Sequence, residues 1–121
     1  MKTARLLIVL LVFSAFSAIC NEPKTVPDSE AFQHVGQRVT VEGKVVKVSI
    51  SRAGNTFLNF GSPYPNQTFT GYIPVRTQLS ANPWTVSLEG KLIGITGVVE
   101  LYKGKPEIKI LSPDQIKGAE Q

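Results

Sequence analysis

The sequence predicts an all-β domain: a small barrel of five short strands with one or two short helices, preceded by an N-terminal export segment. Three observations carry this reading. Apolar residues alternate over runs of five to ten, the period of half-buried strands. Clusters of Gly, Pro, Asn and Ser punctuate those runs at short intervals. The first and fourth runs both slip phase beside a glycine, which is how one strand bends to serve two sheets.

The first strand is expected over residues 39–48. Val39 and Val41 alternate; after Gly43 come adjacent Val45 and Val46, then Val48. Residues 51–55 read as a loop containing Arg52 and Gly54. The second strand, 56–60, and the third, 68–73, form a pair across the turn at 61–66, where Pro63 and Pro65 exclude regular pairing. Residues 76–89 lack alternation and carry Pro83-Trp84, so they read as a loop with a short helix, Trp84 or Leu88 covering the barrel. The fourth strand, 93–102, repeats the slip with Gly94, Gly97 and adjacent Val98-Val99. Lys103-Gly104-Lys105 is a tight turn into the fifth strand, 106–110. A helix is expected over residues 30–35, capped by Asp28 or Ser29 and stopped at Gly36. Ala31, Phe32 and Val35 would lie together on its inner side. Five strands in this order, with glycine bends in the first and fourth, are the pattern of an OB-fold barrel, whose second and third strands usually carry the ligand.

Outside the barrel, the first twenty residues read as a signal peptide. Lys2 and Arg5 form a basic start, residues 6–13 an apolar run, and Ser14, Ala15, Ser17 and Ala18 a small-residue end. The apolar run is short for a membrane span. Both Ala15-Phe16-Ser17 and Ala18-Ile19-Cys20 fit a cleavage signal. Cys20 also suggests a lipoprotein box, although Ile19 before it departs from that pattern. Residues 21–28 are expected to be a flexible leader, 29–117 the barrel and 118–121 a frayed end. The resulting protein would be exported, periplasmic or extracellular, and monomeric.

Cys20 is the single cysteine, which excludes an internal disulfide and a cysteine metal site. The full chain carries a net charge of +4. Losing Lys2 and Arg5 with the leader leaves eleven basic residues against nine acidic ones, a net charge of +2. That permits nucleic-acid binding without demanding it. The sequence shows no phosphate-cradling glycine loop, nucleophile elbow or metal spacing, and His34, the one histidine, has no triad partners. No catalytic residues, cofactor or metal are therefore expected.

The candidate ligand surface comes from strand parity. If Leu58, Phe69 and Ile73 fill the core, Phe57, Asn59, Thr70 and Tyr72 face outward. The two rings could stack bases, and Asn59 and Thr70 could hydrogen-bond base edges or sugar. Lys47, Arg52, Lys103 and Lys105 could flank that surface and attract phosphate. A second reading buries the rings beneath the helix or the proline loop and leaves the lysines as solvated turn residues.

Four stretches carry a family resemblance: His34–Val45, Thr56–Thr70, Val98–Ile108 and Ser112–Ile116. They resemble small exported bacterial OB-fold domains, described as nucleic-acid-binding-like and sometimes fused to nucleases. The likeness spans residues 30 to 117. The Tyr-Lys-Gly-Lys-Pro hairpin at 102–106 also looks like anticodon-binding OB domains. The resemblance implies the barrel and, more weakly, a single-stranded nucleic acid or oligonucleotide ligand. The alternative is a cell-envelope module with a protein, peptide or glycan partner.

Overall fold

A computed structural model describes residues 22–118. The signal segment at 1–20, its cleavage site, Cys20 and the end at 119–121 lie outside the described residues.

The described residues are β-rich, with eight strands: β1 (Lys24–Pro27), β2 (Arg38–Ile50), β3 (Thr56–Phe60), β4 (Phe69–Ile73), β5 (Leu92–Val98), β6 (Glu100–Tyr102), β7 (Lys105–Lys109) and β8 (Ile116–Lys117). Two 3-10 turns (Asp28–His34 and Pro113–Gln115) and one α-turn, α1 (Pro83–Val86), complete the described part. Hydrogen-bonded order runs β6-β7-β4-β3-β2-β5-β8, with β1 added to β2.

The five expected strands are all present, but the count and the closure differ from expectation. The expected fourth strand divides at Val99 into β5 and β6. At Val99 the backbone leaves β2 and pairs with the segment around Val35. The Gly36 amide donates to Val99 O at 2.8 Å, and the Val99 amide donates to Gln37 O at 3.1 Å. Beyond it, β6 pairs with β7. The hydrogen-bonded path is thus open between β6 and β5, the two joined covalently through that one residue.

The two other additional strands lie at the margins. β8 pairs with β5. β1 pairs in parallel with residues 39–42 of β2, and Val26 is buried there. The expected flexible leader at 21–28 therefore contains a packed strand. The prolines at 23 and 27 masked it in the sequence, because only three residues lie between the two breaks.

β2 organises the whole. Residues 38–44 pair with β5 and residues 45–50 with β3, and the register shifts between Val45 and Lys47. The expected bulge is therefore at Val46. Gly43 serves a close approach instead: a Cβ there would lie 2.6 Å from Asp28 Oδ1 and 3.0 Å from the Phe60 ring. Asp28 accepts a hydrogen bond from the Thr68 hydroxyl and does not cap the 3-10 turn, whose Pro27 start has no side-chain cap. That correction extends to the turn's inner face. Ala31 is buried, but Phe32 is 59% exposed and Val35 is exposed too. A 3-10 turn advances 120° per residue, so the α-helical spacing that grouped these residues does not apply.

Leu58, Phe60, Phe69 and Ile73 form the core with Val41, Val45, Ile93, Ile95, Val99, Ile108 and Ile110. Leu88 covers this core from the 80–91 segment, whereas Trp84 remains 40% exposed. That segment also closes the free edge of β2. The Val45 amide donates to Lys91 O, the Gly90 amide to Val45 O, and the Val48 amide to the Glu89 carboxylate at 2.8 Å. A bare strand edge is thereby covered.

Candidate functional site

β3 and β4 lie in register, Phe57 opposite Tyr72 and Asn59 opposite Thr70. β7 then runs parallel to β4, which places Glu107 beside Thr70. These strands floor a cleft of about 310 Å³. Its floor presents Phe57, Asn59, Thr70 and Glu107. Ser49, Ile50 and Ser51 bound it along the end of β2. The proline loop adds Tyr64 and Gln67, and the β6–β7 hairpin adds Tyr102 and Lys103.

The hairpin geometry follows from its turn. Tyr102 pairs with Lys105 across two residues, Lys103 and Gly104, with φ of 52° and 81°. Positive φ at both positions is the turn that matches strand twist. It holds Tyr102 (54% exposed) and Lys103 at the cleft mouth, with Lys103 Nζ 5.4 Å from the centre of the Tyr102 ring. Tyr64 is 63% exposed on the facing loop.

Of the residues singled out from sequence, Phe57, Asn59, Thr70 and Lys103 line the cleft. The others flank it or lie apart. Tyr72 stacks on Phe57, centroids 5.4 Å apart and planes 23° from parallel. Lys105 Nζ donates to Gln67 O at 3.4 Å, bracing the loop. Lys47 and Arg52 are exposed and line no part of it.

Strand parity is right for the core side and incomplete for the other. Asn59 and Thr70 were expected on an open surface, yet they are 1% and 4% exposed. The loop and hairpin rise over the sheet and turn its outer face into a floor. Phe57 and Tyr72 are half-buried for a related reason: opposite one another in register, each ring covers the other. Residues that parity did not single out, Tyr64, Gln67, Tyr102 and Glu107, come from turns or from the long-range β4–β7 pairing. Glu107 does alternate with buried Pro106 and Ile108, which marks it as facing away from the core. Nothing local places it next to Thr70.

The floor is polar and largely self-bonded. Asn59 Nδ2 donates to Ser49 Oγ at 3.4 Å. Gln67 Nε2 donates to Thr70 Oγ1 at 3.1 Å, while Gln67 Oε1 is buried without a partner among the described residues. Burial pushes the Glu107 carboxyl above the ordinary carboxylate range. Glu100, directly opposite on β6, raises it further, and Lys109 acts in the other direction. Among the described residues, no three His, Cys, Asp or Glu side chains gather as a metal-binding group. His34 Nδ1 lies 3.0 Å from Gln37 Oε1, a local turn contact.

No family model and no curated protein matches the chain. Among solved structures it is similar to a chain from Leishmania major Friedlin described as an aspartyl-tRNA synthetase, with 12% identity and a TM-score of 0.51. The match covers 83% of this chain and 21% of that one. At such low identity the likeness is one of fold alone.

Proposed function

We propose that this chain is an exported, non-catalytic OB-type barrel that binds single-stranded nucleic acid or oligonucleotides in the cleft over β3 and β4. The five barrel strands correspond to β2, β3, β4, the bent β5–β6 unit and β7. One observation carries the reading: three aromatic side chains, Phe57 on the floor and Tyr64 and Tyr102 on the walls, line the cleft together with amide, hydroxyl and carboxyl groups. Flat rings provide stacking for bases of any sequence, and the floor provides hydrogen bonds to their edges. Lys103 at the mouth and Lys105 beside it supply the cationic groups for a passing phosphate backbone. The solved neighbour is named for an activity on tRNA, which agrees with a nucleic-acid ligand.

The rival is an envelope module with a protein, peptide or glycan partner. It is favoured by the charge of the lining, where Lys103 is balanced by Glu107. Titrating the domain with fluorescent 12-mers at several salt concentrations separates the two. Nucleic-acid binding weakens as salt rises, at a slope near −0.7 per contacted phosphate. Phe57→Ala and Tyr102→Ala should each weaken binding by about 1–3 kcal/mol. Lys103→Ala should flatten the salt slope. Absence of binding at low salt would transfer the cleft to the rival class of partner.

A further inference from the structure

On the nucleic-acid reading above, we infer that the ligand surface runs past the cleft onto β7, where Lys109 holds a phosphate of the bound strand as it leaves the cleft over the Tyr72 ring. Lys109 is not part of the cleft lining, so this contact is additional to those of the β6–β7 hairpin.

Three in-register residues lead out of the cleft. Phe57 on β3 lies opposite Tyr72 on β4, and Tyr72 lies opposite Lys109 on β7. Neighbouring strands are about 4.8 Å apart, so the three form one row across the sheet. The Phe57 and Tyr72 rings stack with centroids 5.4 Å apart, so each covers one face of the other. Phe57 is the cleft end of this row and Lys109 its far end. Alternation along β7 sets the facing. Pro106 and Ile108 are buried, which turns Lys105, Glu107 and Lys109 to the outer face, and Lys109 is exposed there.

The side chains on that face alternate in charge. Lys105 and Lys109 stand four residues apart, about 13 Å along an extended strand, with Glu107 between them at the cleft. A phosphate gains nothing from the Glu107 carboxyl and is drawn to the cation on either side of it. The nucleotide between two such phosphates then lies over the cleft, where Phe57 and the wall tyrosines offer stacking. Lys109 has a competing use, since it opposes the rise of the Glu107 carboxyl above its ordinary range. A lysine serving only that end would leave the number of bound phosphates unchanged, and salt dependence counts them.

The test titrates the full chain with fluorescent dT12 at several salt concentrations and neutral pH. With one phosphate at the hairpin and one at Lys109, the wild-type salt slope should be about −1.4 or steeper. Lys109→Ala should flatten it by about 0.7, one phosphate, and weaken low-salt binding about two- to fivefold, the worth of one exposed ion pair. Lys109→Gln, which keeps a long side chain, should match Lys109→Ala, and Lys109→Arg should keep the wild-type slope. Lys117→Ala removes the same charge from exposed β8, which does not line the cleft, and should leave the slope unchanged. An unchanged slope in Lys109→Ala and Lys109→Gln overturns the inference while leaving nucleic-acid binding in place. So does equal flattening by Lys117→Ala, which would make the effect one of net charge. A wild-type slope of about −0.7 or shallower overturns it on unaltered protein, since only one phosphate would then be held. No binding by wild type at low salt overturns the nucleic-acid reading itself.

Discussion

Gly97 shows how one missing side chain sets the architecture. Its position on β5 faces the interior, and a Cβ there would lie 2.5 Å from Ile108 Cγ2 and 3.3 Å from Gln115 Nε2. Both neighbours are fixed. Ile108 is fully buried on β7. Gln115 is tied at both ends of its amide: Nε2 donates to Thr96 O and Lys109 O, and Oε1 accepts from the Leu111 and Ser112 amides. The glycine thus allows β7 and the final turn to approach β5 closely. Gly97→Val should destabilise the domain by about 1–3 kcal/mol through overpacking, read as a lower urea midpoint. An unchanged midpoint would show that Ile108 and Gln115 can yield. Sequence flagged this glycine from the adjacent Val98-Val99 slip, but it assigned the slip to a bend. Tight packing against Ile108 could not be read, because the partner lies eleven residues away on another strand.

At the level of elements, legibility followed locality. β3 and β4 lie within one residue of their expected bounds, because alternation is a local signal. The hairpin turn was legible in Lys-Gly-Lys for the same reason. The split of β5 from β6 was not, since it depends on Val99 exchanging partners with residues 35–37. β1 was missed because a four-residue strand that follows one proline and ends on another has no periodicity to detect. Its role is nevertheless clear in the register. β3 covers residues 45–50 of β2, β5 covers 38–44, and β1 covers 39–42 with the Val26 side chain buried beneath it. A chain starting at Asp28 loses that burial, which contributes about 1.5–3 kcal/mol for a valine, and uncovers a strand edge. It should unfold at lower urea and self-associate more readily in light scattering, while the cleft, which β1 does not line, keeps its ligand affinity. Equal stability of the two lengths would show that β1 adds nothing to the fold.

For the whole molecule, the core was legible and the cleft only half so. Core residues announce themselves by parity, whereas a cleft is assembled by loops rising over a sheet. Hence Phe57, Asn59 and Thr70 were found on the floor, while the walls at Tyr64 and Tyr102 were not. The same assembly predicts how the molecule unfolds. β2 is shared by both halves of the sheet, and the 80–91 segment is bonded to it through Lys91, Gly90 and Glu89. Leu88 from that segment is fully buried in the common core. No part of the described chain therefore holds a core of its own. Trp84, the single tryptophan, sits on α1 within this segment, while far-ultraviolet circular dichroism reports mainly on the strands. For one cooperative unit of this size the two signals should trace a single, superimposable urea transition. Tryptophan fluorescence changing well before the strand signal would mean that the 80–91 segment detaches first, exposing the edge of β2 before the barrel opens.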